Sequence, residues 1–369
     1  MGMLRKGVWV GRLALVVALS LGALGGLTPA AAQEPHAVAI LVVDDFGLTD
    51  LAAVDFGAFE AGESCAISLE GQAFAVRGAT ADPLTEQSHG DVVLGQLEEM
   101  IAEAGAEEII TLIPVDVHGV STEVAAERIE AALAEVEADV VLLNMSFAVI
   151  PCEYLQAMVD FGGQLLAARD AGNLNRYRSL FQRAVLFYND TVFPAMSRRS
   201  QQAQPNQPLD PLQAYLAEAG VVAVASAGNF GLNFPFWPGA WPGVVSVSAS
   251  QGQGFYPAQS WDSKTDVPLL TIPGDRPNQR LRISNYGEVM MPGEYASAVA
   301  GATSQAVIAG TSFAAPRLSM AVALYLAEVG GDYCRDEEGF FALASGEWKN
   351  LTLPQAAEAY CPDMLAYLP

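Results

Sequence analysis

Lysine is close to absent from this chain. Lys6, Lys264 and Lys349 are the three in 369 residues, and 18 basic side chains of either kind stand against 42 acidic ones, for a formal net charge of −24. That balance argues against nucleic acid or an anionic membrane as a partner, because both demand a cationic face. Its plain consequence is a solvated, soluble surface. Histidine is equally scarce: His36, His89 and His118 are scattered, and with Cys65, Cys152, Cys334 and Cys361 they form no spacing that suits a metal site. Internal repeats and coiled-coil heptads are missing. Beyond the N-terminal segment no apolar run resembles a membrane span.

That first segment is distinctive. Arg5, Lys6 and Arg12 precede the apolar run Leu13 to Leu27, and Pro29-Ala30-Ala31-Ala32 stands before Gln33. This is the pattern of a secretory signal peptide over residues 1–32 with cleavage after Ala32, which predicts a secreted or periplasmic protein that leaves the membrane once processed. Processing removes three positive charges and no negative ones, so the mature chain is more acidic still. No propeptide of useful length separates Ala32 from the strand expected near Ala37. All four cysteines fall in the exported part, where disulfides persist. Three connectivities are open; Cys334–Cys361 is the most local pair and would leave Cys65–Cys152.

Short apolar runs bounded by turn residues predict strands at Val38 to Val43, Glu108 to Pro114, Val140 to Met145, Val221 to Ser226 and Val244 to Ala249. Amphipathic stretches at Leu94 to Ala104 and Ser121 to Glu137 predict helices between them, and Phe313 to Val329 is apolar nearly all round, as a buried helix would be. Alternating strand and helix argues one α/β domain with a parallel sheet covered on both faces. We place it at 33–330, with a long connection at 151–218 and a C-terminal extension at 331–369 that packs on the core. Residues Cys65 to Val76 alternate like a hairpin, and the polar run Ser197 to Pro211 reads as surface within a connection that is either elaboration or a lid.

The chemistry is carried by Gly310-Thr311-Ser312-Phe313-Ala314-Ala315-Pro316, which seats a serine at the start of a helix. A serine hydroxyl needs a base to become a nucleophile. His89 in Ser88-His89-Gly90-Asp91-Val92-Val93 is the candidate, and the strand Ala37 to Val43 ends in Asp44-Asp45. Together with Val221 to Asn229, and with Ser284-Asn285-Tyr286-Gly287 followed by Met291-Pro292-Gly293, these motifs resemble the subtilisin-like serine peptidases over residues 37 to 330, in the family's Asp, His, Ser order.

The resemblance implies a three-layer α/β/α subtilisin-like fold with a mostly parallel central sheet, and a serine endopeptidase acting on a peptide or protein substrate. It implies Asp44, His89 and Ser312 as the catalytic triad and Asn229 as a donor to the oxyanion. Asp45 is the alternative acid, since Asp45-Phe46-Gly47-Leu48 also fits the family's pattern, and His118, in His118-Gly119, is the lesser alternative base. Ser146 and Phe147 match the strand beside the primary specificity pocket, but Ala148-Val149-Ile150-Pro151-Cys152 stands where the family has glycines. Glycines there let a substrate backbone approach, so the cleft is expected to be rebuilt and specificity restricted. Relatives often hold structural calcium; no compact carboxylate set identifies a site here, and no cofactor is indicated. Oligomeric state is not written in the sequence. Two other readings compete: a catalytically silent binding protein on the same scaffold, and an esterase or lipase, against which the missing Gly-x-Ser-x-Gly elbow and the triad order both argue.

Overall fold

Val38–Asp44, the strand β1, is buried at all seven positions because helices cover both of its faces. Its side chains alternate: Val38, Ile40 and Val42 join one apolar cluster, Ala39, Leu41 and Val43 another. In this computed structural model the residues described are 34–48, 54–60, 62–68, 74–75, 88–202, 210–250, 279–281, 283–298, 305–330, 334 and 346–367. The expected signal segment, 1–32, lies outside them.

After β1 come β2 (Ser64–Ile67), β3 (Phe74–Ala75), α1 (His89–Ala104), β4 (Ile110–Asp116), α2 (Thr122–Ala134), β5 (Val140–Met145) and β6 (Ala148–Pro151). The long connection holds α3 (Leu155–Asp170), α4 (Leu174–Phe187), a π-helical turn (Tyr188–Val192), α5 (Phe193–Gln202) and α6 (Pro211–Ala219). Then follow β7 (Val222–Ser226), β8 (Val244–Ser250), β9 (Val289–Pro292), β10 (Glu294–Ala298), β11 (Gln305–Ala309), α7 (Thr311–Val329), β12 (Leu351–Thr352) and α8 (Leu353–Tyr360).

Among the described residues the main sheet has seven strands in the order β12-β9-β8-β7-β5-β1-β4, every neighbouring pair parallel. One face carries α1, α7 and α8 through Val93, Leu97, Phe313, Leu318, Leu326, Ala356 and Ala357. The other carries α2 and α6 through Ala125, Ile129, Leu212 and Leu216. This is the expected three-layer α/β/α arrangement. Residues after 331 contribute Leu353, Cys361 and Met364 to the first cluster, and Cys334 is bonded to Cys361.

Three differences from the sequence reading have physical causes. The helix expected from Leu94 begins at His89, because Ser88 and Asp91 form a capping box that satisfies two N-terminal backbone groups. The strand expected to stop at Pro114 runs to Asp116; β4 is the sheet edge, where a proline forfeits no ladder bond. Among the described residues of Cys65 to Val76 the two strands do not pair with each other as a hairpin: β2 pairs antiparallel with β6, Cys65 opposite Ile150, while β3 pairs with β11 in a separate sheet. The disulfide Cys65–Cys152 closes that pairing across 87 residues. The 151–218 connection is also more than a surface run, for Leu155, Met158, Ala184, Tyr188, Val192 and Met196 are buried in the second cluster.

Candidate active site

In a parallel sheet the carboxyl ends of the strands and the N-termini of the helices that follow converge on one edge, where ligands bind. Here Asp44 is the last residue of β1, Ser146 follows β5 and Asn229 follows β7, while His89 and Ser312 sit in the first turns of α1 and α7. His89, Ser146, Phe147, Asn229 and Ser312 line one solvent-open pocket together with Ser68, Ala148, Ser226, Gly228, Phe236 and Thr311.

Asp44 is fully buried and places both carboxylate oxygens on His89 Nδ1, at 2.8 and 2.9 Å. Nδ1–H donates to the carboxylate, so Nε2 is the basic nitrogen. Burial pushes the Asp44 carboxyl up; His89 and the Asp45 N–H, which donates to Asp44 Oδ1 at 2.7 Å, oppose that shift. The neighbouring acid faces elsewhere: Asp45 Oδ1 accepts from the Gly47 N–H, and Oδ2 lies 3.9 Å from His118 Nδ1. His118 is buried, its Nδ1 accepts from the Ser68 N–H at 3.0 Å, and burial holds its pKa down against the nearby aspartates. Gly90 has a reason of its own. A Cβ there would lie 2.6 Å from the Asp45 carbonyl oxygen and 2.9 Å from the Phe46 ring, so only glycine lets α1 deliver His89 this close to β1.

Asn229 is held by its oxygen. Oδ1 accepts from the Thr311 N–H at 2.9 Å and from Thr311 Oγ1 at 3.2 Å, which leaves Nδ2 as the donor end. Thr311 Oγ1 in turn accepts from the Gly228 N–H. Beneath this loop lies Asn285: Oδ1 takes the N–H groups of Phe230 and Leu232, and Nδ2 donates to the Ala227 carbonyl. Behind α7, Gln96 Nε2 donates to the Phe313 carbonyl, tying the helix that carries Ser312 to the one that carries His89.

The opposite wall departs from the family's pattern. Where the family has glycines, Ala148–Pro151 is a strand whose edges are both used: β2 pairs with one, and the Val149 N–H donates to the Trp237 carbonyl. Sequence reasoning missed Ser68, Phe236, Gln96 and the role of Asn285. Ser68 had one available signal, since a Cys65–Cys152 bridge places the following residues beside Phe147.

Among the described residues no helix is long and apolar enough to cross a membrane, and no group of three or more His, Cys, Asp or Glu side chains is placed to hold a metal.

The subtilase family model matches residues 79–339, a span that includes His89, Asn229 and Ser312 and begins after Asp44. The chain is a subtilase. Three solved structures similar to this subtilase are the self-cleaved protease domain of PatA (16% identity, 80% of this chain and 82% of that one, TM-score 0.38), a lanthipeptide protease (16%, 80% and 75%, 0.35) and the prenylagaramide maturation protease PagA (13%, 90% and 94%, 0.37). Likenesses at that level add nothing to the assignment. Comparison with curated proteins gives no match.

Proposed function

We propose that this subtilase is an exported serine endopeptidase of restricted specificity, with Ser312 as nucleophile, His89 as general base and acid, Asp44 as the orienting carboxylate and Asn229 as an oxyanion donor. The observation that carries the reading is the contact of both Asp44 oxygens with His89 Nδ1 in a pocket that His89 shares with Ser312. Ser312 Oγ attacks the peptide carbonyl carbon and its proton passes to His89 Nε2. The carbonyl oxygen takes the negative charge and is met by Asn229 Nδ2 and by the N-terminal dipole of α7. Collapse breaks the C–N bond, His89 returns the proton to the leaving amine, and water repeats the sequence to free the acid.

Two disulfides, Cys65–Cys152 and Cys334–Cys361, support an oxidising compartment and thus the assignment of residues 1–32 as a signal peptide. In this reading 33–330 is the peptidase domain and 331–369 an extension packed upon it. The rebuilt β6 wall supports restricted specificity.

The test is labelling of the purified mature protein with a small alkyl fluorophosphonate, wild type beside Ser312→Ala, with the adduct mapped by mass spectrometry. Labelling confined to Ser312 is expected. Folded, disulfide-bonded protein that does not label would overturn the reading in favour of a silent binding protein on the same scaffold.

A further inference from the structure

Two hydroxyls in the pocket have no use in the chemistry above. Ser68 is 3% exposed and Ser146 4%, and the Oγ of each is buried with no hydrogen-bond partner among the described residues. Both line the pocket beside Ser312. Buried polar atoms are nearly always paired, so two unpaired ones in one cavity point to a ligand group that pairs them.

Ser68 is held there with some force. It directly follows β2, which is bonded along both edges: β6 pairs with one, and on the other the Ala66 N–H donates to the Val120 carbonyl while the Ala66 carbonyl accepts from the Gly119 N–H. Cys65 is bonded to Cys152, and the Ser68 N–H donates to His118 Nδ1. The buried, neutral imidazole of His118 thus pins the Ser68 backbone. Continuing the β2–β6 register one residue past Ile67–Ala148 sets Ser68 opposite Phe147.

The rest of the lining bounds the ligand. Among the described residues that line it there is no lysine, arginine, aspartate or glutamate, so a charged group entering beside them would be desolvated without a partner from this set. Phe147 and Phe236 close it, and Phe236 is backed by Tyr188 at a ring separation of 4.0 Å. A long side chain meets aromatic walls. A purely apolar one leaves both hydroxyls unpaired.

We propose that Ser68, acting with Ser146, determines specificity by selecting a short, uncharged, hydrogen-bonding side chain, a hydroxyl or carboxamide, on the residue whose carbonyl Ser312 attacks. The inference rests on the reading of Ser312 as nucleophile and goes beyond it by naming the class of residue cleaved after.

The experiment uses the full mature protein and a series of aminoalkyl diphenyl phosphonates that differ only in side chain: serine-like, asparagine-like, alanine-like, phenylalanine-like and lysine-like. Second-order labelling rates are measured, with the alkyl fluorophosphonate as a probe that needs no side-chain pocket. The wild type is expected to react with the serine-like and asparagine-like probes at least about tenfold faster than with the alanine-like one, the ratio that one hydrogen bond supplies. Ser68→Ala should collapse that ratio to about one. Ser146→Ala, in the link between β5 and β6, should lower it independently and carries the test if Ser68→Ala does not fold. A wild-type preference for the phenylalanine-like or lysine-like probe would overturn the proposal, as would an equal fall for all probes in both variants. A wild type that reacts with neither the fluorophosphonate nor any phosphonate defeats the nucleophile reading, whereas fluorophosphonate labelling without side-chain preference defeats this one alone.

Discussion

On the side of the pocket formed by His89, Asn229 and Thr311, with Asp44 buried behind His89, polar side chains are tied across the fold by hydrogen bonds, so each group has one place to be. On the side formed by Ser68, Ser146, Phe147 and Phe236, the two hydroxyls have no partner among the described residues, and position comes from backbone hydrogen bonds, a disulfide and aromatic packing. In the proposed function one cavity serves two tasks, and the difference follows from them. Groups that move protons need a fixed tautomer and orientation, which hydrogen bonds provide. Groups that recognise a side chain need free bonding capacity, and the scaffold must then hold them by other means.

The most severe challenge to the first half of the comparison is Asp44→Asn. It removes the carboxylate from His89 Nδ1 and is expected to lower kcat on a small activated ester by about 10⁴-fold. Asp45→Asn touches the Gly47 turn and the surroundings of His118 instead and should cost less than about tenfold. Equal losses in the two variants would break the assignment of Asp44.

For the second half, the sharpest probe is removal of Cys65–Cys152 by a double serine variant. The closed loop of 87 residues corresponds to about 4.6 kcal/mol in the chain-entropy account, against about 3.6 kcal/mol for the 27-residue loop of Cys334–Cys361. Urea unfolding of both double variants measures the order. Loss of the first bridge should also blur probe selectivity, because it frees β2 from β6; loss of the second should leave selectivity alone.

The tied side of the pocket was largely legible in the sequence, because its residues sit in local motifs whose spacing reports the chemistry: Ser88-His89-Gly90-Asp91 both caps a helix and seats the imidazole, and Gly310-Thr311-Ser312 opens another. The parallel sheet followed from the doubly buried apolar runs, and the cysteine pairing from locality. The other side was legible only in part: Ser146 and Phe147 were read from the family resemblance, Ser68 and Phe236 were not. Ser68 and Phe147 lie 79 positions apart and meet through an antiparallel pairing that alternation alone could not assign, since the same alternation suited a local hairpin. The 151–218 connection hid its buried face because the π-helical turn at Tyr188–Val192 breaks the helical period that would have shown it.

Glu288 shows what a buried but fully bonded polar group does. Its Oε2 accepts from the Ser246 N–H at 3.0 Å and its Oε1 from the Gly346 N–H, three residues on from the Asn285 that holds the Asn229 loop. Burial raises its pKa from 4.5 to about 7 in spite of these bonds. Between those values the unfolded chain has lost the proton and the native one keeps it, so the stabilisation is complete below pH 4.5 and is lost as pH rises through about 7, by about 3 kcal/mol. Unfolding free energies from pH 4.5 to 8 should fall more steeply in the wild type than in Glu288→Gln. Parallel curves would show that Glu288 ionises alike in both states.

Tyr188 is the counterpart on the aromatic side and gives the smallest expected effect. Its ring lies tilted against Phe236 and meets Phe230 edge-on, yet its hydroxyl is buried without a partner among the described residues and its pKa is driven far up by burial. Tyr188→Phe keeps the ring contacts that support the pocket wall and removes only the unpaired group. It should be neutral or stabilising by up to about 1 kcal/mol, with probe selectivity unchanged. Tyr188→Ala, by contrast, opens a cavity costing about 3–5 kcal/mol behind Phe236 and should loosen selectivity along with stability. A loss of stability in Tyr188→Phe would mean that the hydroxyl has a partner after all, and the wall behind Phe236 would then be tied by hydrogen bonds like the side it is contrasted with.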